Sequence, residues 1–422
     1  MVLSFEDARH VVEQHATEVR PRGTETVNLL SAAGRILAEP ITADRDIPPF
    51  PRATRDGYAV RAADLAKLPA ILDVVAEIKA GAHPSQIPSH IASGQAAAIM
   101  TGAPVPPGAD AVVMVEFTTR QKNRVEMARN VALGENIVPR AAEAKAGSQL
   151  LTPGCPMSQA AVALAASVGK SRLEVYCRPQ VAILSTGDEI VEVDVDPGPT
   201  QIRNSNTYSL AVQIQSAGGE LVLLPTAPDE PKRLRELIEQ GLRSDLLLLT
   251  GGVSMGQYDL VEHVLSEMKA EFFFTGAKIQ PGRPVVFGRV RGSEAPRKQA
   301  PKGRKKGLLR HTYFFGLPGN PVSTMVTFEL FARPMLEALA GMSPRKLTFL
   351  HARLKSEVHV KTGLKRFLPA ILSGEFENTE VELLRWQGSG DMAATARANC
   401  YIIISPDREN ISPGEWVAVL PC

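Results

Sequence analysis

From about residue 179 the chain alternates apolar strand-like runs with helical stretches, and this alternation constrains the fold more than any other feature. VAILST (181–186) precedes a helix at about 206–216, and ELVLLP (220–225) precedes one at about 231–241. LLLLTGG (246–252) leads to a helix at about 260–269; PVVFGRV and YFFGLPGN follow, and a last helix runs from Val322 to about Ala340. Strands alternating with helices of this length predict a parallel sheet covered by helices on both faces. The flanks read differently. Residues 5–20 form an amphipathic pattern closed by Pro21-Arg22-Gly23. Residues 40–160 hold short apolar runs such as AAAIM (96–100) and AVVMVEF (111–117), separated by turn signals such as VPPGAD and TPGCP. Small β modules are expected there. From 345 on, LTFLHARL, VELLRW, CYIIIS and WVAVL predict a small C-terminal β-barrel or sandwich. The expected fold class is multidomain α/β plus β: a central three-layer α/β/α domain with a mostly parallel sheet, small β-rich domains and a C-terminal β-barrel-like domain.

Several function classes drop out on composition. At 422 residues the chain is long enough for roughly two to four domains. Its net charge of +2 gives no case for nucleic acid or for an anionic membrane surface. Cys155, Cys177, Cys400 and Cys422 are scattered, without C-x-x-C pairs or zinc-like spacing, which fits a reducing cytosol. MVLSFEDARHVVEQH has no apolar core of signal-peptide length, and no apolar run is long enough to span a bilayer. A soluble cytoplasmic protein is expected. One block stands apart: residues 289–310 carry nine Lys or Arg residues, from Arg289 and Arg291 to Arg310, against the single acid Glu294. It reads as a loop between two strands, either a solvated excursion or a device that draws anions to a nearby site.

In doubly wound sheets ligands bind beyond the carboxyl ends of the strands. Four polar turns fall there: STGDE (185–189), TGGVSMGQYD (250–259), QPGRP (280–284) and LPGNPVS (317–323), with Asp229 after a further strand in TAPDEP. They supply hydroxyls at Ser185, Thr186, Thr250 and Ser254, and carboxylates at Asp188, Glu189, Asp229 and Asp259. N–H groups in glycine-rich turns suit phosphate oxygens, and neighbouring carboxylates suit Mg²⁺, which shares its ligand shell with substrate phosphates. A site for a phosphorylated ligand and a divalent cation is therefore expected. Each acid also has a structural reading. Asp259 with Glu262 resembles a capping box, Asn320-Pro321 a helix start, and Asp229 before Glu230-Pro231 another, while Asp188 and Glu189 suit a surface turn. What those readings do not predict is the joint pattern along one sheet edge.

The ordered set VAILSTGDEI, IRNSN, TGGVSMGQYD, PGRP and LPGNPVS resembles the molybdopterin molybdenumtransferases, the MoeA and gephyrin E-domain family. RDGYAV (55–60), IMTGAPVPPGADAVV (99–113), RFLPA (366–370), QGSGDMA (387–393) and ANCYIII (398–404) extend the likeness over nearly the whole chain. The resemblance implies an L-shaped subunit of four domains: 1–45 with about 141–178, 46–140, 179–340 and 341–422. It implies a homodimer whose sites lie between the α/β domain of one subunit and the DGYAV-containing domain of the other. The implied reaction inserts molybdate-derived molybdenum into adenylylated molybdopterin and hydrolyses the adenylyl anhydride, giving molybdenum cofactor and AMP with Mg²⁺. Contacts with the adenylyltransferase and with molybdoenzyme assembly proteins are implied too.

By motif match, Asp56, Thr101, Glu189, Asp229 and Asp259 are the expected catalytic residues, the last three also as Mg²⁺ ligands. Ser185, Thr186, Gly187, Asp188, Gly251, Gly252, Ser254, Gly256, Arg283, Pro318, Gly319, Asn320 and Ser323 are expected to hold phosphate or pterin. Arg366 and Ser389 are expected to line the outer cleft. Molybdate is a dianion and needs nearby cations or N–H donors; Arg283, Lys278 and Arg140 are candidates, each also readable as surface charge. Three positions depart from the family pattern: Arg55 precedes Asp56, Glu143 stands where an aspartate is common, and Gln280 replaces a lysine. Two other readings are the preceding adenylylation step and a non-catalytic molybdopterin-binding scaffold; the acids at Asp56, Glu189 and Asp259 favour catalysis.

Overall fold

The computed structural model describes residues 1–252, 260–291 and 311–422. They form two compact units. The first comprises Met1–Ala38, Gly154–Ser158 and Arg172–Cys422, and the second Glu39–Pro153 with Gln159–Ser171.

The first unit contains the expected α/β sheet, six strands in the order Glu220–Leu223, Gln180–Ser185, Leu246–Thr250, His311–Leu317, Val286–Arg291, Glu271–Phe274. The first four run parallel, and Val286–Arg291 is antiparallel to both its neighbours. Leu246–Leu249 and Phe314–Phe315 are fully buried, which is why these strands read as continuous apolar runs rather than alternating ones. Two apolar clusters cover the two faces: one is built on helices Phe5–Glu18 and Asn206–Ser216 and the last helix, the other on Pro231–Gly241 and Leu260–Glu267. The predicted helix from Val322 is interrupted. Pro321–Thr327 and Arg333–Leu339 are α-helical, and a π turn at Phe328–Ala332 lies between them. Such a turn leaves carbonyls without their usual i+4 partner. Arg9, buried on the N-terminal helix, donates its guanidinium N–H to the Leu330 carbonyl and pairs with Glu13. Burial lowers its pKa. Ser4 caps that helix by accepting from the Asp7 amide at 3.0 Å.

The C-terminal strands close a barrel: Lys365–Ser373, Glu380–Leu383, Leu350–Leu354, Trp416–Pro421 and Cys400–Ile404 pair in turn, and the last pairs back with the first. Of the basic block, Arg289 and Arg291 belong to the strand Val286–Arg291, not to a loop, and Arg289 pairs with Glu271 at 2.6 Å. The block's other seven basic residues lie outside the described residues.

The second unit is built on a six-stranded sheet of mixed direction, ordered Ala111–Met114, Gly57–Val60, Gln95–Ile99, Ala70–Ile78, Arg124–Met127, Thr118–Gln121. Gly57 is dictated by packing there. A Cβ at this position would sit 1.9 Å from the Val113 carbonyl oxygen. Among the described residues, no helix is long and apolar enough to cross a membrane.

Candidate active site

Register alone brings three of the polar turns together. Ser185 lies opposite Thr250, and Thr250 opposite Leu317, on adjacent parallel strands. STGDE, TGG and LPGNPVS therefore leave the sheet side by side. They open on a cleft of about 380 Å³, lined by Thr186, Glu189, Asn206, Gly251, Gly252 and Gly319 among others. A second cavity of about 330 Å³ shares Pro284, Pro318 and Asn320 with it, and adds Gln280, Arg283, Ser323, Trp386 and Ser389. The fourth turn, QPGRP, thus joins the same site.

The polar groups are held in different ways. Ser185 is buried and its hydroxyl bonds Thr207 Oγ1 at 2.8 Å, so it braces the turn from inside. Asn320 occupies the cap position before Pro321 as expected, yet its side chain makes no capping bond. It donates instead to Ser389 Oγ at 2.9 Å, and the Val322 amide donates to the Ser389 carbonyl, docking the QGSGD turn on the PGNP turn. Asp229 is not a helix cap; Glu230 holds that position. The Asp229 amide donates to Asp188 Oδ1 at 3.0 Å, and its carboxyl pKa is raised by burial and by the charges of Asp188 and Glu189. These three acids crowd one corner. Like charges held together favour a cation between them, and Mg²⁺ needs only one or two protein carboxylates when a phosphate completes its shell. Among the described residues there is no ready group of three metal-ligating side chains. Ser254, Gly256 and Asp259 lie outside the described residues.

Arg366 is 8% exposed and lines neither cavity. Its guanidinium donates to the Gln280 side chain and to the Lys361 carbonyl, and burial lowers its pKa. Gln280 is therefore an acceptor for a buried cation, which explains why a neutral side chain is accommodated there. Arg283 and Lys278 have no ion-pair partner among the described residues, and Arg283 lines the second cavity. In the second unit Arg140 is committed to Asp46 at 2.6 Å, and Glu143 to Arg52 at 2.8 Å. Asp56 and Thr101, 45 residues apart, meet there: Asp56 Oδ1 accepts from the Thr101 amide at 2.7 Å and from its hydroxyl at 2.8 Å. Those bonds hold the Asp56 carboxyl below the usual range.

Sequence reasoning missed Asn206 as a site residue. Its side-chain amide donates to Thr250 Oγ1 at 2.9 Å and to the Gly319 carbonyl at 2.7 Å, tying two of the turns together. The only signal was IRNSN itself, at the start of a helix beside the sheet edge.

Comparison with known proteins assigns the chain. Residues 3–169 match the MoeA N-terminal region (domain I and II), 182–338 a probable molybdopterin binding domain, and 351–422 the MoeA C-terminal region (domain IV). A molybdopterin molybdenumtransferase from Nostoc sp. is 34% identical over 94% of this chain and 88% of its own length. One from Haemophilus influenzae is 32% identical over 95% and 94%. A solved molybdopterin biosynthesis MoeA protein from Pyrococcus horikoshii superposes with a TM-score of 0.76 at 26% identity, covering 100% of both chains. A second such MoeA structure gives a TM-score of 0.69 at 31% identity, over 100% of this chain and 99% of the other. Identity at this level over nearly the full length of both sequences shows that the chain belongs to the MoeA family of molybdopterin molybdenumtransferases.

Proposed function

We propose that this enzyme inserts molybdenum from molybdate into adenylylated molybdopterin. In that reaction the two dithiolene sulfurs bond the molybdenum as molybdate oxygen leaves as water with the thiol protons. Water adds at phosphorus as the adenylyl anhydride bond breaks, so AMP leaves and the terminal phosphate stays with the pterin. The observation that carries this reading is the register that aligns Ser185, Thr250 and Leu317, so that three glycine-bearing turns face one cleft beside Arg283, which has no ion-pair partner among the described residues. Backbone donors in such turns suit phosphate oxygens, and Arg283 suits an oxyanion. Glu189, Asp229 and Asp259 would hold a Mg²⁺, which when bound neutralises charge developing on the anhydride. Asp188 would set the Asp229 backbone, and Gly187, Ser254, Gly256, Pro318 and Ser323 would shape the cradle. We assign Asp56 and Thr101 to the same reaction, contributed across a homodimer, and infer a cytoplasmic enzyme that meets the adenylyltransferase and molybdoenzyme assembly proteins.

The test supplies adenylylated molybdopterin, molybdate and Mg²⁺ and follows both AMP release and bound molybdenum. Both should appear together. Tight binding of the substrate with AMP at background would instead indicate a scaffold. Asp259→Ala should lose turnover with a change in melting temperature of only a few degrees, since losing a helix-capping side chain typically costs no more than about 1 kcal/mol.

A further inference from the structure

Another cavity, of about 110 Å³, lies wholly within the first unit and shares no lining residue with the strand-end cleft or the cavity adjoining it. Its charge is lopsided. Four guanidiniums line it, those of Arg35, Arg178, Arg333 and Arg345, against one carboxylate, Glu337. They come from three parts of the chain. Arg35 precedes the bridge at Ile36, Arg178 follows the strand Arg172–Tyr176, and Arg333 and Arg345 belong to the last helix and the segment after it. Three of the four are already fixed. Arg35 donates to Glu25 and to the Tyr176 carbonyl at 2.9 Å. Arg333 donates to Glu329 at 2.9 Å and to Ser216 Oγ at 3.2 Å. Arg345 clasps Glu337 through Nε at 3.1 Å and Nη2 at 2.6 Å. Glu25 and Glu329 do not line the cavity. Each of these three arginines keeps Nη1 without a hydrogen bond among the described residues, and the exposed Arg178 has no ion-pair partner among them.

The remaining wall does not cancel this charge. Burial raises the Cys177 thiol pKa, so that side chain stays neutral near pH 7. The carbonyl end of helix Asn206–Ser216 reaches the lining at Ser216 and supplies about half a negative charge, less than the one left over at Arg178. We propose that this cavity binds a small tetrahedral oxyanion, with Arg178 as its main partner and the free Nη1 groups of Arg35, Arg333 and Arg345 as further donors. Size and shape select that class. A cavity of about 150 Å³ takes a benzene ring, and drug-sized ligands need about 300 Å³ or more, so a nucleotide does not fit. A carboxylate offers its lone pairs in one plane, whereas a tetrahedral ion offers oxygens to donors arriving from three segments. Arginines already held by carboxylates lose little freedom on meeting it. Inorganic phosphate and molybdate share this chemistry. The site stands independently of the reaction assigned to the strand-end cleft.

Cys177 lines the cavity and gives a local readout, with Cys155, equally half-buried but not in the lining, as an internal control. Alkylation of each cysteine by iodoacetamide is followed by peptide mass while inorganic phosphate, or molybdate in a parallel arm, is titrated in. Wild type, Arg178→Ala, Arg178→Glu and Arg283→Ala are compared. Phosphate should slow alkylation at Cys177 and leave Cys155 unchanged. Arg178→Ala should raise the half-protecting concentration about tenfold, the loss of one charged hydrogen bond. Arg178→Glu should abolish protection. Because Arg178 is exposed, both variants should melt within a few degrees of wild type. Arg283→Ala should leave the titration at Cys177 in place, which separates this cavity from the proposed active site. Stronger protection by molybdate than by phosphate would uphold the site and assign it to the metal substrate; equal protection would uphold it as a general oxyanion site. Protection by neither ion, equal protection of both cysteines, or a titration unmoved in Arg178→Ala would overturn the proposal.

Discussion

The Asp56 corner and the strand-end cleft handle polarity in opposite ways. At Asp56 one carboxylate oxygen is supplied from within the fold: two donors from Thr101 bond Oδ1 and lower the group's pKa. Among the described residues of the cleft, Thr186 Oγ1 and Asn206 Oδ1 have no hydrogen-bond partner and Arg283 has no counter-ion, and burial together with the charges of Asp188 and Glu189 raises the Asp229 pKa. The first is a finished charge. The second is an unfinished surface that a phosphorylated ring and a cation would complete. Finished polar groups contribute to stability, whereas unfinished ones contribute to binding, and substitutions should separate the two.

The largest expected effect tests whether the finished charge also serves the chemistry. Asp56→Ala should reduce molybdenum insertion about 100-fold or more, as loss of a positioned carboxylate typically does. A rate within twofold of wild type would confine Asp56 to a structural role. Next, Arg9→Ala, far from ligand chemistry, should cost about 2 kcal/mol in denaturant unfolding by stripping the Leu330 carbonyl of its charged partner, with substrate affinity unchanged. Arg283→Ala should do the reverse: about tenfold weaker use of molybdate, for loss of a charged contact, with unfolding unaffected. The smallest effect lies in pH. Because the Asp56 pKa is lowered, the Thr101 contact stabilises above the ordinary aspartate value and is lost as pH falls through the lower folded value. The melting gap between wild type and Thr101→Val, about 1–3 °C, should therefore hold at neutral pH and close below about pH 4. A gap independent of pH would remove the linkage.

The α/β core was legible because its strands are buried on both faces and its helices carry periodic apolar faces. Gln180–Ser185 and Leu246–Thr250 read directly as apolar runs. Other strands were not legible, Glu271–Phe274 and Lys365–Ser373 among them. Glu271–Phe274 is a four-residue antiparallel edge directly after a helix, too short for a period. Lys365–Ser373 carries Pro369 mid-strand, a residue that argues against a strand until the barrel pairing with Tyr401 is seen. The Asp229 helix start failed because its backbone bonds Asp188, 41 residues away. Asn206 was unreadable for the same reason: its partners lie 44 and 113 residues off, and a motif shows which residue is present but not which of its atoms is left over.

Amide hydrogen exchange with and without adenylylated molybdopterin tests the location of the substrate most directly. Ligand should slow exchange about tenfold or more at residues 185–189, 250–252 and 317–323, since stabilising a turn by even 1.4 kcal/mol has that effect on a local opening equilibrium. Saturating ligand with unchanged exchange in all three turns would place the substrate elsewhere and contradict this placement.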